Sequence, residues 1–452
     1  MKNTSNILHG FSKKKKSEKL DLIGNFFENK EEVIGYFKSF HHQDKAIQEL
    51  IEEFSENTIS NFHLPYSVAP NFLINDRVYT LPMVIEESSV VAAASHSAKF
   101  WFSHGGFKTE IVATQKVGQV HFLWTDNLEL LQYKFPELKQ ILISATDMIT
   151  ENMRKRGGGI TDIELRDLSD KEPGLMQLFC TFETVDSMGA NFINSCLEQF
   201  AASFKEWYAS QPDFSGEGLE IVMCILSNLT PNCRVKCWVE TDISDFNEMA
   251  PGLSGEEFVR RFYMGVRIAE VDPFRAVTHN KGIFNGVDAI VLASGNDFRA
   301  VEACGHAYAS LKGQYSPLTK VILKDNKFQF ILELPLSLGV VGGLTNLHPL
   351  VKLSLELLGH PSAEELMSIA AAAGLANNFS AVKSLVTIGI QEGHMKMHLF
   401  NIMKQLNVPE IYKEGIVEHF KHEKVSVSAV RRLVNELTIG NTKQTTKNSV
   451  KI

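Results

Sequence analysis

The stretch Met176–Tyr208, MQLFCTFETVDSMGANFINSCLEQFAASFKEWY, reads as a buried strand that turns through DSMGAN into a long amphipathic helix. Phe192, Cys196 and Phe200 form one stripe of that helix, and Ile193 with Leu197 widens it. Upstream, TEIVATQKVGQVHFLW (Thr109–Trp124) has strand character, with a glycine between two runs. Phe135–Met153 has a helical pattern, and a Gly157–Gly159 turn leads into the strand ITDIELRDL. Downstream, EIVMCILSNL (Glu220–Leu229) is a further strand. The order strand–helix–strand–strand–helix–strand predicts a ferredoxin-like α+β domain over residues 112–222. Motif residues lie on both sides of it, so it reads as an insertion.

The flanks predict a larger mixed helix and sheet domain in two parts, residues 1–111 and 223–390. Ser17–Asn57 is helical in pattern, Glu56–Asp76 is rich in turn residues, and Ser88–Phe102 (SSVVAAASHSAKFWF) is a buried helix. The alternating run around Cys233 and Cys237 is a strand, and Ser254–Phe274 is helical. A glycine-punctuated stretch follows from Gly282 to Gly313. Phe328–Pro349 reads as an apolar strand and a glycine-rich turn, and Ser362–Val386 as an alanine-rich helix. Residues 391–440 form a small helical C-terminal flap, with Pro409 breaking its first helix pair, and the polar residues 441–452 read as a disordered tail.

Bulk properties narrow the function classes. The chain has 452 residues, 44% hydrophobic and 22% charged, with a net charge of −8. No run of about 18 apolar residues occurs, which argues against a membrane span. The polar start carries Lys13–Lys16 without an apolar core behind it, so no secretory signal is expected and the cytoplasm is the expected compartment. That lysine run in an acidic chain reads as a solvated arm rather than a nucleic-acid contact. Six scattered cysteines (Cys180, Cys196, Cys224, Cys233, Cys237 and Cys304) show no CxxC and read as free thiols, with no zinc site.

Several short constellations carry chemistry, each beside a plainer reading. Asp186–Asn191 joins a strand to a helix, where free N–H groups and the dipole suit a phosphate; a helix cap explains the same residues. Glu86 and Glu87 precede an apolar helix, where the dipole favours acids; a sequestered Glu would instead serve as a proton donor. Lys281, in HNKGIFNG, is either a surface lysine or a cation for a developing oxyanion, with Asp297 as its partner. His394 and His398 stand four apart; without an HExxH pattern, a general acid beside a departing thiolate fits better than a metal. No GxGxxG follows a strand, so a Rossmann site is unsupported.

As an ordered set, EESSVVAAAS, RGGGITDIE, DSMGANFIN, DPFRAVTHNKGIFNG, SGNDFRAVEA, VVGGLTNLHP and GHMKMH resemble the signatures of hydroxymethylglutaryl-coenzyme A reductases, over about Gly10 to Leu437. The resemblance is to the soluble bacterial type, class II. It implies reduction of the thioester to mevalonate by two hydrides, or the reverse, with coenzyme A released. It implies Glu87, Lys281, Asp297 and His394 as catalytic residues. Ser89, Arg275 and Asn285 hold the hydroxymethylglutaryl part, and Asp186, Ser187, Met188, Gly189, Ala190 and Asn191 contact the dinucleotide. A homodimer, or a larger assembly of dimers, is implied as well. Ser88 stands where the family commonly has Pro, Ser60 where Gly is usual, and Ser187 where Ala is usual. For the cofactor, the basic Met153–Arg156 run favours NADPH through a 2′-phosphate contact by Arg154, Lys155 or Arg156, while Asp147 suits the 2′-hydroxyl of NADH. The rival readings are another coenzyme A thioester enzyme, a hydratase or lyase, and a non-catalytic thioester-binding protein.

Overall fold

The computed structural model describes residues 7–247, 249, 252–387, 399–400, 402–420, 423 and 425–448, with side chains up to residue 437. It divides into two compact units, Met1–Thr241 with Ile268–Asn378, and Asp242–Arg267 with Phe379–Ile452.

The first unit opens with three helices, α1 (Lys16–Gly24), α2 (Lys30–Ser39) and α3 (Lys45–Glu53). Lys16, from the N-terminal lysine run, pairs with Glu52. The segment expected to be only turns holds a strand, which pairs with a second one. These are β1 (Tyr66–Ile74) and β2 (Arg77–Val84), antiparallel with Ile74 opposite Arg77. Asn75 and Asp76 close the hairpin at φ 46° and 69°, the left-handed pair that a two-residue turn demands. Pro70 sits where the register slips, and Pro82 lies on a strand with one neighbour, both places where a missing N–H is tolerated. Helix α4 (Ser88–Phe102) packs on β1, with Ala94 and Ala98 fully buried.

Strand β3 (Lys108–Thr114) joins a sheet of order β3-β8-β10-β9, made with β8 (Cys233–Asp242), β9 (Thr319–Lys324) and β10 (Lys327–Pro335). One residue later the chain enters a different sheet. There β4 (Lys116–Trp124), β5 (Gly159–Asp167), β6 (Leu175–Glu183) and β7 (Leu219–Ser227) stand in the order β5-β6-β4-β7, every neighbour antiparallel. Helices α5 (Leu128–Ala145), α6 (Asp147–Lys155) and α7 (Ala190–Ser210) supply the crossovers. This is the expected ferredoxin-like arrangement. The chain's crossing at Gln115 puts the expected start at residue 112 inside β3. The core between sheet and helices is aromatic: the Phe122 and Phe204 rings meet edge to face at 5.1 Å, and Trp124 and Phe214 at 5.2 Å.

The glycine-punctuated stretch is helical. Helices α8 (Gly255–Val271), α9 (Pro273–Ala293) and α10 (Phe298–Ser310) follow in close succession. Asp272 caps α9 by accepting from Phe274 N at 3.0 Å, and Pro273 takes the first helical position. Here glycine marks contact rather than a break. A Cβ at Gly286 would lie 2.3 Å from the Ala373 carbonyl oxygen of α12 (Ala363–Val386). Helix α11 (Pro349–Leu357) completes the unit.

In the second unit the Phe246 and Phe258 rings stack at 5.1 Å, and Phe262 meets Phe379 at 5.4 Å. Its helices α13 (Glu410–His419) and α14 (Val427–Asn448) share a small core around Met403, Ile416 and Val430. Helix α14 therefore runs into the segment expected to be a disordered tail. Among the described residues, no helix is long and apolar enough to cross a membrane. The cysteines are free, and all but Cys224 are fully buried; burial pushes the Cys196 and Cys233 thiols up to about 12.

The α9–α12 contact is testable. Gly286→Ala forces the helices apart and should cost about 1–3 kcal/mol, seen as a lower thermal midpoint. Gly35→Ala, on α2 with open space around it, should raise the midpoint slightly through helix propensity. Equal melting of the two variants would contradict the close approach.

Candidate active site

Helix α9 displays polar residues along one side. Lys281 and Asn285 stand one turn apart, and Arg275 lies in the first turn. Ile283, Phe284, Gly286, Val287 and Ile290 are buried on the other side. His279 is buried beneath Lys281, with its Nε2 2.5 Å from Thr319 Oγ1. Burial, and then the Arg275 guanidinium, push its imidazole down to about 3, so it stays neutral. Burial likewise lowers the Arg275 guanidinium from its ordinary value. Asn280 accepts from Leu318 N at 2.9 Å and donates to Ser316 O at 3.0 Å, which ties α9 to the segment before β9.

Lys281 reaches across to the start of α4. Its Nζ lies 3.6 Å from Glu87 Oε2, and the side chains are 63% and 39% exposed. Glu87 is the N-cap of α4 in extended conformation, and Ser89 Oγ donates to Glu87 Oε1. Three residues singled out in the sequence, Glu87, Ser89 and Lys281, thus meet at one spot. A pair this exposed contributes at most about 1 kcal/mol, so its ammonium is free to exchange partners.

The expected Lys281–Asp297 pair is not formed. Asp297 caps α10 by accepting from Arg299 N at 3.0 Å and Ala300 N at 3.3 Å. Its two oxygens also take Arg299 Nε and Nη2, each at 3.0 Å. Burial acts to raise this carboxyl, but Arg299 and the backbone donors outweigh it and hold it below the usual range. A cation two residues along the same helix wins over one on another helix. His394 and His398 lie outside the described residues.

The DSMGAN turn is fixed from below by an ammonium. Lys116 is buried at the start of β4; its Nζ donates to Thr184 Oγ1 and, at 2.9 Å, to Ser187 O. Thr184 Oγ1 also donates to Ser187 O at 2.6 Å. Asp186 Oδ1 accepts from Ala363 N at 2.8 Å, and Asp186 O accepts from Val340 N at 2.8 Å. Gly189 then turns the chain into α7 at φ 85°, where a Cβ would lie 2.4 Å from Thr184 Cγ2. Gly189 has no side chain to cap the helix, and Ser187 Oγ takes only the Gly189 N–H, at 3.1 Å. Among the described residues no side chain caps the positive end of α7, a setting that suits an anion. Lys116, Met188, Ala190, Thr230, Cys304 and Ser337 line a cavity of about 30 Å³ beside this turn. Sequence reasoning passed over Lys116, because a lysine opening an apolar strand looks like any exposed strand end.

On α6 the candidates for reading the ribose meet each other. Arg154 Nη1 pairs with Asp147 Oδ1 at 2.7 Å, and Lys155 with Glu151 at 2.7 Å, while Arg156 Nε donates to Asn152 O at 3.3 Å. Both pairs are exposed.

Comparison with known proteins gives one family. The profile of hydroxymethylglutaryl-coenzyme A reductase matches residues 17–399. The chain is 35% identical over 402 residues to the 3-hydroxy-3-methylglutaryl-coenzyme A reductase of Archaeoglobus fulgidus, covering 88% of this chain and 87% of that one. It is 30% identical over 412 residues to the probable enzyme of Borreliella burgdorferi, covering 88% and 91%. Among solved structures it is similar to the class II reductase of Streptococcus pneumoniae bound to NADPH in open conformations. That likeness has a TM-score of 0.70 and 32% identity, over 94% of this chain and 100% of the other.

The Lys116 contacts give a pH-dependent expectation. Lys116→Met leaves Thr184 Oγ1 without its donor and the Ser187 carbonyl with only that of Thr184, and should destabilise by about 1–3 kcal/mol. Burial lowers the ammonium below its ordinary 10.5, against the pull of Cys233, Glu183 and Asp186. The folded protein then binds fewer protons than the unfolded chain just below 10.5, so wild-type stability gains on the variant as pH rises in that window. Melting curves from neutral to alkaline pH measure the gap, and a gap that narrows contradicts a buried cation.

Proposed function

The chain belongs to the hydroxymethylglutaryl-coenzyme A reductase family, and from that premise we propose that it interconverts hydroxymethylglutaryl-coenzyme A with mevalonate and coenzyme A, using NADPH in preference to NADH. The observation that carries the residue assignment is the approach of Lys281 to Glu87 at 3.6 Å, from two helices distant in the sequence. That approach supports a reading in which a cation and a carboxyl group act on one carbonyl oxygen.

The reaction needs two hydrides and two protons, and the dinucleotide supplies the hydrides when bound. Lys281 stabilises the oxyanion formed at the thioester carbonyl. Arg275 holds the free carboxylate of the substrate with its planar fork, and Ser89 and Asn285 hold the hydroxymethyl part. His394 protonates the departing coenzyme A thiolate, which blocks its return to the aldehyde. Glu87 gives its proton to the aldehyde oxygen in the second reduction. Asp297 holds the Lys281 ammonium in place, which requires it to leave Arg299, an exposed partner that it can give up at little cost.

Asp186 to Asn191 fit a dinucleotide because the turn at Gly189 brings uncapped N–H groups of α7 close to any ligand above it. The 2′-phosphate of NADPH suits Arg154 and Lys155, whose surface pairs with Asp147 and Glu151 are weak enough to exchange. Residues 116–227, from β4 to β7, serve as the dinucleotide domain, the segments on either side of it up to residue 390 as the catalytic domain, and 391–440 as a flap that closes for chemistry and opens for cofactor exchange. The working form is a cytoplasmic homodimer. Exposed Leu350, Leu353 and Leu357 on α11 repeat at helical spacing and suit a second copy.

Oxidation of NADPH dependent on hydroxymethylglutaryl-coenzyme A, run beside NADH, tests the reaction and the cofactor together. Lys281→Ala should lower kcat by at least about 10²–10³. Substantial turnover in that variant removes Lys281 from the chemistry. In Gly189→Ala the free turn can open to shed about 1–2 kcal/mol of left-handed strain that the bound turn must take back, so roughly tenfold more NADPH should be needed to raise the thermal midpoint equally. An unchanged NADPH dependence would detach the turn from the cofactor.

A further inference from the structure

Asp288 and Glu302 have no part in the chemistry described so far. Asp288 lies two turns beyond Lys281 on α9 with Asn285 between them, so three polar residues share one face. Glu302, on α10, brings its carboxyl within hydrogen-bonding reach of Asp288. Asp288 Oδ1 is shut off from water and receives no N–H or O–H donor from the described residues. Two bare carboxylates repel at this range, whereas one proton between them satisfies both. Burial, and then Glu302, push the Asp288 carboxyl up to about 8, while Lys281 on the same face pulls it down.

Near Glu302 stands Tyr315, whose hydroxyl accepts from Asn280 Nδ2 at 3.1 Å and lies 2.7 Å from His306 Nδ1. The Phe284 ring covers His306 at 4.8 Å. Arg299, on the same helix as Glu302, pairs with Asp297.

We propose that Asp288 and Glu302 are positioning residues for Lys281. They share one proton and so keep a single negative charge at the rear of the Lys281–Asn285–Asp288 face. That charge attracts the Lys281 ammonium, yet is too weak to draw it away from Glu87 and the acyl oxygen. Loss of the shared proton doubles the charge and pulls the ammonium back along α9. The inference rests on the reading of Lys281 as the cation of the oxyanion.

Charge counting sets the experiment. The wild-type pair carries one negative charge at neutral pH and two above the titration of Asp288. Asp288→Asn leaves a single carboxylate throughout, and the double variant with Glu302→Gln carries none. The ratio of kcat/KM at pH 9 to that at pH 7 should fall about tenfold in the wild type relative to Asp288→Asn. The double variant should lose turnover already at pH 7. A wild-type profile that Asp288→Asn leaves unaltered, or a double variant as active as Asp288→Asn at pH 7, overturns the positioning role.

Melting curves supply an arm independent of turnover. A carboxyl raised on folding binds more protons folded than unfolded, so its stabilising contribution is complete at acid pH and is lost as pH rises towards about 8. Wild type should lose stability relative to Asp288→Asn between pH 5 and 8, and parallel curves overturn the shared proton. A wild type with no turnover would instead overturn the functional reading, and the melting comparison then decides the shared proton by itself.

Discussion

The contact on which the candidate site depends is the close approach of α9 to α12. With no side chain at Gly286, the helix backbone lies against the Ala373 carbonyl, and the apolar side of α9 is pressed into the interior. Lys281 and Asn285 lie on the side left open, while the polar His279 and Asn280 are buried with the apolar residues. A bulkier residue at that crossing would move Lys281 relative to Glu87. A lysine ammonium acts as a point charge, and its effect on a reacting oxygen depends steeply on distance.

The two halves of the candidate site are built on different physics. Around Lys281 the bonds are loose and exposed, so partners can exchange as charge develops on a substrate. Around DSMGAN the bonds are buried and redundant: Lys116 and Thr184 both hold the Ser187 carbonyl oxygen, Val340 holds the Asp186 carbonyl oxygen, and Ala363 holds an Asp186 carboxylate oxygen. A cradle for a ligand gains from a preformed shape, because ordering costs are then met by folding rather than by binding. A group that must follow moving charge gains from freedom. The ion pair on α6 belongs with the first kind, since Asp147 and Arg154 neutralise each other until something better arrives.

Much of the fold was legible because burial writes itself into periodicity. The long helix after DSMGAN and the strands around it carried clear stripes or alternation, and their order gave the ferredoxin-like topology. The β1–β2 hairpin was hidden because its prolines and its Asn75–Asp76 turn imitate a loop. Helices α9 and α10 were hidden because glycine reads as a breaker when it is spent on packing. In the site, Glu87 and Lys281 were picked out as residue types, but only the structure brings them together. The partner of Asp297 was misjudged because Arg299 sits too near in sequence to lose that competition. Lys116, Asp288 and Glu302 gave no sign, since a charge buried by its neighbours looks like any other charge on paper.

The chain enters the ferredoxin-like sheet immediately after Thr114 and returns at Cys233, and those two residues face each other across the β3–β8 ladder. Gln115 N bonds Asn232 O at 2.9 Å, so the ladder is zipped up to its last rung. In outline, the whole lobe hangs from the tip of what would otherwise be an ordinary β-hairpin. Such a neck lets evolution trade one lobe for another, or trim it to a short turn, while the parent sheet keeps its register.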